Sequence, residues 1–309
     1  MQEYYPSLTY YGIGAIIRKY SSFPTFLPLP VSIQHGWDIA PNAHDAREDA
    51  PENWYWSCNL EAQYQQSYPR VKTRAIGAPF LYLLKSVEYE PARKSERKGS
   101  IVFPSHSSDL VEMKCDFDKY AAMLASLPDL YKPITVCLYY IDKERGFDRP
   151  FLRHGFDVVS NGANLYEAQF LLNFIYNTRG KRFSFSNQMT SALLFASAMG
   201  LTSFFWGPEF TVNNEDPHWQ HLDYSHYFRT WEANFAPYFT FPVCDFDEQI
   251  RCVDVELGRR NLLSPAEMRK RLIGLLSHSV YLRKSSRVIR GYAGKTARAM
   301  TRIFTGRSG

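Results

Sequence analysis

The chain predicts an α/β fold built on a parallel sheet, and three observations carry that expectation. Between residues 100 and 206, short β-branched or aromatic runs alternate with helix-length segments. The strand-like runs read as buried on both faces, the habit of parallel strands. Polar loops follow two of them, which is where the ligands of such sheets bind.

In order, Val31 to Ile33 is a short apolar run ending in "HG". Gly77 and Pro79 make a turn ahead of an amphipathic segment at 80–85. The charged, apolar-poor "EPARKSERKGS" reads as a linker, placed at 91–99. Strands are expected at 100–104, 133–140, 155–160, 182–186 and, last, 201–206. Helices are expected at 117–127, 165–177 and 189–199. In the second of these, Leu165, Ala168, Leu172 and Ile175 share one face. Gly200 stands where a helix C-terminus favours a left-handed residue.

Composition narrows the class. The 309 residues are 45% hydrophobic and 22% charged, enough for one large domain or two modest ones. No apolar run reaches the ~18 residues of a membrane span. No basic start followed by an apolar stretch marks a signal peptide. The five cysteines are scattered without a CxxC pair, which fits reduced thiols in a cytoplasmic protein. The 21 Tyr, 22 Phe and 6 Trp serve first as packing, and as rings for sugar or base stacking in the sharper reading.

Two polar loops carry the candidate chemistry. Ser105, His106, Ser107 and Ser108 follow the strand at 100–104. Asn187, Gln188, Thr190 and Ser191 sit in the "SNQMTS" run that closes the strand at 182–186 and opens a helix. Free N–H groups and the dipole at such a helix start favour an anion. Plain helix capping accounts for the same residue types. Neither loop is a GxxxxGK[ST] or GxGxxG motif, which disfavours ATPase and simple dinucleotide readings. His35, before Gly36, either presents its imidazole to a cleft or is a buried structural histidine.

In this order, the HG pair, the G-x-P turn, the polar loop and the Ser-rich loop before a buried helix resemble the GT-B glycosyltransferases. The nearest resemblance is to the enzymes of bacterial capsule, teichoic-acid and lipopolysaccharide synthesis, including the CDP-glycerol glycerophosphotransferase type. The resemblance spans roughly Val31 to Pro208. It implies a GT-B-like, Rossmann-type fold: a reduced N-terminal acceptor lobe (1–90), a donor domain (100–210), a helical C-terminal part (211–264) and a basic amphipathic tail (265–309). It implies His35 as catalytic base. Gly36, Ser105, His106, Ser107, Ser108, Asn187, Gln188, Thr190, Ser191 and Glu209 would bind the donor. Asn187 stands where the polyol-phosphate enzymes carry Asp. A nucleotide-sugar would be the co-substrate, with no other cofactor and no metal, and the acceptor a glycan or lipid-linked glycan. The alternatives are a polyol-phosphate or pyruvyl transferase, and a non-catalytic partner docked at a membrane.

Two constellations remain. His218, His221, Asp223 and His226 match no standard metal-ligand spacing and read first as an acceptor-binding or structural helix start. From 265 onward, eleven Lys/Arg face one acid, Glu267. Interleaved with apolar residues, they suit an interfacial helix on anionic lipid, a solvated tail or a nucleic-acid arm. The resemblance favours lipid over nucleic acid, hence a cytoplasmic protein held peripherally on the inner face of the cell membrane.

Overall fold

Three short parallel strands organise the first lobe of the computed structural model, which describes residues 3–38, 40–108, 111–214, 230 and 233–286. They are β1 (Ser32–Ile33), β2 (Asn53–Tyr55) and β3 (Thr73–Ala75), side by side in that order. Strands this short hold few ladder bonds, so side chains finish the frame. The Asn53 amide, for example, accepts from the Arg47 N–H and donates to the Arg47 carbonyl, both at 2.9 Å.

Two helices cover this sheet. α1 (Ile13–Ser21) buries Ile13, Ile16 and Ile17. α3 (Pro79–Ser86) buries every residue from Pro79 to Leu84, as a helix enclosed on all sides does. Gly77, before it, has φ +84, and a Cβ there would meet Leu262 Cδ2 at 2.6 Å. Only glycine fits that turn. Between β2 and β3 runs α2 (Cys58–Ser67), capped by the Ser57 hydroxyl.

The second lobe holds a five-stranded parallel sheet. β4 (Ser100–Val102) is central, β6 (Ile134–Cys137) and β7 (Asp157–Val159) lie to one side, and β8 (Phe183–Ser186) and β9 (Thr202–Phe205) to the other. The chain leaves β4 in one direction and β8 in the other. The crevice beyond their carboxyl ends is therefore the topological switch point, where open α/β sheets bind ligands. α4 (Phe117–Ala125), α5 (Tyr140–Glu144), α6 (Arg149–Arg153), α7 (Phe170–Thr178) and α8 (Ser191–Ala198) complete the lobe.

Two expectations are corrected. First, 201–206 is not the last strand, and the stretch from 211 does not begin as helix. β10 (Phe210–Asn214) follows and pairs antiparallel with β5 (Val111–Cys115). The two lie far apart in sequence, and although Val111, Met113 and Cys115 alternate with Glu112 and Lys114, nothing local names the partner strand. Second, the helix expected from 165 starts at Phe170. The Tyr11 N–H donates to the Leu165 carbonyl (2.9 Å), and Gly12, at φ +78, packs so tightly that a Cβ would lie 2.2 Å from the Ala168 oxygen. The first lobe thus holds that backbone outside the helix. The buried face is Leu171, Phe174, Ile175 and Thr178, while Leu172 is 42% exposed. The stretch from 265 opens as α10 (Pro265–Leu275), a helix with a complete capping box at Ser264 and Glu267 and with buried Met268, Leu272 and Leu275, packed on α1.

The C-terminal residues bridge the two lobes. α9 (Phe246–Glu256) lies against α8, and its buried Gln249 bonds to both the N–H and carbonyl of Ser203 in β9. The next residue, Leu257, accepts from the Ala78 N–H. Arg271 of α10 pairs with the buried Glu52. One apolar core runs through both lobes, joining Trp56 and Phe80 to Phe174, Phe195 and Met268. Among the described residues no helix is long and apolar enough to cross a membrane. His218, His221, Asp223, His226 and residues 287–309 lie outside the described residues.

Candidate active site

A cavity of about 380 Å³ opens between the lobes, at the carboxyl ends of both parallel sheets. Of the residues singled out from sequence, His35, Gly36, His106, Ser108, Gln188, Thr190 and Ser191 line it. Ser105, Ser107, Asn187 and Glu209 do not. Its floor is apolar and aromatic, formed by Trp56, Phe80, Phe103, Phe174 and Phe195. That combination, an apolar body with a few converging polar groups, is usual for a small-molecule site.

The wall from the first lobe is the turn after β1. Gln34, fully buried, shapes it: its amide donates to the Gly36 carbonyl (2.6 Å) and accepts from the Trp56 N–H (3.0 Å). His35 then meets Asp45, with Nδ1 3.0 and 3.2 Å from the two carboxylate oxygens. Asp45 is itself fixed. Its N–H donates to Asn42 Oδ1, and its carbonyl accepts from the Tyr55 hydroxyl. With Nδ1–H donating to the carboxylate, Nε2 is the working nitrogen of the ring. Burial lowers the His35 pKa, but the charge and hydrogen bond of Asp45, with the charge of Asp38, outweigh it and raise the value to about 9. His35 therefore carries its proton at neutral pH.

The facing wall is the start of α8. Thr190 is its N-cap without a side-chain capping bond, and its buried Oγ1 has no hydrogen-bond partner among the described residues. In the first turn the Leu193 N–H already donates to the Thr190 carbonyl (3.2 Å), and the N–H groups of Ser191 and Ala192 lie ahead of the first i−4 acceptor. Ser191 Oγ accepts from the Trp37 N–H (2.8 Å), which ties the turn after β1 to α8. Trp37 Nε1 also donates to Glu256 (2.8 Å), and burial raises the pKa of that carboxyl.

The remaining candidates build the frame. Asn187 accepts from the Ser105 N–H (2.8 Å) and donates to Ser105 Oγ (3.2 Å) and the Pro208 carbonyl (3.1 Å). Ser107 donates its N–H to Asp142 (3.1 Å) and accepts from the Met113 N–H (3.2 Å). His106 stands between these serines but turns to the cavity, its ring 4.5 Å from that of Tyr139. Glu209 is exposed at the start of β10.

Sequence reasoning missed Asp45 and Gln34. Both lie in irregular backbone, and no spacing links either to His35. His35, His44 and Asp45 also form the one group among the described residues with ligand-type atoms close enough for a metal, within 4.8 Å of one another. The His35–Asp45 hydrogen bond satisfies two of the three without an ion.

No family model matches the chain, and no curated protein matches it. Among solved structures it is similar to S. aureus MnaA bound to UDP, with 10% identity, TM-score 0.36, and coverage of 72% of this chain and 58% of that one. The UDP-GlcNAc 2-epimerase from Neisseria meningitidis gives 9% identity, TM-score 0.34, and coverage of 74% and 60%. WaaG, a glycosyltransferase involved in lipopolysaccharide biosynthesis, gives 15% identity, TM-score 0.28, and coverage of 77% and 62%. The chain thus spans about three-fifths of the length of each. The α/β class stands on the two parallel sheets themselves.

Proposed function

We propose that the protein is a glycosyltransferase of GT-B-like architecture, moving a sugar from a nucleotide-activated donor to a surface-polysaccharide or lipid-linked acceptor. The observation that carries this reading is one cavity with two unlike walls. The α8 start, with the N–H groups of Ser191 and Ala192 and a Thr190 hydroxyl that has no partner among the described residues, faces the His35–Asp45 pair.

In this reading the donor diphosphate rests at the start of α8, where N–H groups and the helix dipole stabilise the charge that develops on the leaving nucleotide. The acceptor oxygen bonds to the anomeric carbon as the bond from that carbon to the phosphate oxygen breaks. The electron pair leaves with the nucleotide, and the acceptor proton passes to Nε2 of His35. Asp45 orients the ring and stabilises the imidazolium formed. No metal is needed, so turnover should survive EDTA.

A pKa of about 9 favours a second role for His35. Charged in the resting protein, the imidazolium is itself a partner for the diphosphate. The pH profile separates the two. A base works from its neutral form, about one molecule in a hundred at pH 7, so kcat/KM should climb toward pH 9. A cation loses its effect as pH rises through 9. A polyol-phosphate or pyruvyl transferase remains the alternative chemistry at the same cavity, and a docked non-catalytic partner the alternative class.

The same proposal extends to the cytoplasmic face of a membrane and excludes a nucleic-acid partner. Its support is the basic run from 265 onward, in which exposed Ile273 and Leu282 stand among exposed Arg269, Lys270 and Arg283. Co-sedimentation with phosphatidylglycerol vesicles but not phosphatidylcholine vesicles is the expected result.

The first experiment is a thermal-shift screen against CMP, CDP, UDP, GDP and TDP and their common sugars, without metal. A ligand at a hundred times its dissociation constant adds about 2.7 kcal/mol. A flat screen on folded protein would sink the transferase reading and leave the non-catalytic one.

A further inference from the structure

An aromatic cluster stands beside the cavity: Tyr10, His44 and Tyr166 meet around His35 but do not line the cavity itself. The Tyr10 ring lies 5.7 Å from the His35 ring, edge-on, and 6.0 Å from His44, nearly parallel at 8°. Tyr166 stands 5.9 Å from Tyr10. His44 meets His35 at 5.0 Å, edge-on. Tyr10 and His44 come from the first lobe and Tyr166 from the loop before α7, so the cluster bridges both lobes. Its outer part is open: Tyr166 is 65% exposed, and His44 is exposed too.

The backbone beneath is strained. Tyr10 breaks the short 3-10 helical segment Pro6–Gly12 that precedes α1, and Tyr11 takes φ +55, a costly conformation for a bulky residue. The Tyr11 N–H bond to Leu165 and the close packing of Gly12 on Ala168 hold it there. That strain turns Tyr10 toward His35 and fixes the chain next to Tyr166. Two of the rings, Tyr166 and His44, face water, so core packing does not account for the cluster.

We infer that Tyr10, His44 and Tyr166 form the acceptor subsite and that the acceptor group bound there is a pyranose ring. This rests on the transferase reading above and names its acceptor class. The C–H face of a sugar ring stacks on the electron-rich face of an aromatic side chain. A ring lying on Tyr166 and Tyr10 presents its edge hydroxyls to His35, the group that takes the acceptor proton. A linear polyol offers no such face.

The test is saturation-transfer difference NMR with methyl α-D-glucopyranoside, cellobiose and N,N′-diacetylchitobiose, and with glycerol 3-phosphate as a ringless control. Wild type, Tyr166→Ala and His44→Ala are compared. The expected result is transfer to the ring C–H protons of at least one sugar, reduced at least fivefold in Tyr166→Ala, with no response from glycerol 3-phosphate. Silence from every sugar overturns the inference. So do equal signals from wild type and both variants, and so does a glycerol 3-phosphate signal lost in Tyr166→Ala. The nucleotide thermal shift of Tyr166→Ala should equal that of wild type. A missing nucleotide shift breaks the donor reading, whereas missing sugar contact breaks only this inference.

Discussion

Loop 105–108 and loop 186–191 look alike in sequence, short hydroxyl- and amide-rich runs at the ends of parallel strands, yet the fold uses them differently. In the first, Ser105 and Ser107 are buried and bonded to Asn187, Asp142 and Met113, and only His106 and Ser108 reach the cavity. In the second, Asn187 turns inward while Gln188, Thr190 and Ser191 line the cavity. Ser105, Ser107 and Asn187 thus satisfy buried backbone, Ser191 does so for Trp37 while lining the cavity, and the Thr190 hydroxyl has no partner among the described residues. Hydrogen-bond accounting separates them; residue type does not.

Asn187→Ala should give the largest effect. It leaves the buried Ser105 N–H and the Pro208 carbonyl without partners, so a loss of about 3 kcal/mol is expected in urea unfolding. Nucleotide affinity of the folded fraction should stay within twofold. A larger affinity loss at intact stability would make Asn187 a ligand residue and erase the contrast.

Next comes His35, on the wall that faces both loops. Its folded pKa lies above the unfolded value near 6.5. The pairing with Asp45 therefore contributes fully below about pH 6.5 and fades as pH rises through about 9. The side chain is 30% exposed, so screening holds the contribution to about 2 kcal/mol. Denaturant midpoints should fall across that window in wild type and not in His35→Gln.

Thr190→Val sharpens the comparison from the other side. It removes a hydroxyl that bonds to nothing among the described residues, so stability should change by less than about 0.5 kcal/mol. Nucleotide affinity should fall about tenfold, the equivalent of about 1.4 kcal/mol. Smallest is Ser107→Ala, which removes the acceptor for the Met113 N–H and should cost about 1 kcal/mol in stability, with nucleotide affinity unchanged.

Local sequence determined much of the second lobe. The runs at 100–104, 133–140, 155–160, 182–186 and 201–206 each contain a strand, and 117–127 contains α4, because short β-branched or aromatic runs and helical periodicity are written within ten residues. The same holds for His35 beside Gly36 and for the polar run that opens α8. Tertiary structure alone decided the rest. The β5–β10 pair, the late start of α7 and the return of α10 to the first lobe depend on contacts between segments far apart in the chain. So does the site: Asp45 reaches His35 through an irregular loop, and Trp37 reaches Ser191 across the lobes. A hydroxyl carries no local mark of whether a distant N–H will claim it. Only the folded chain, by bringing Met113 to Ser107 and, among the described residues, nothing to Thr190, decides which one a ligand can use.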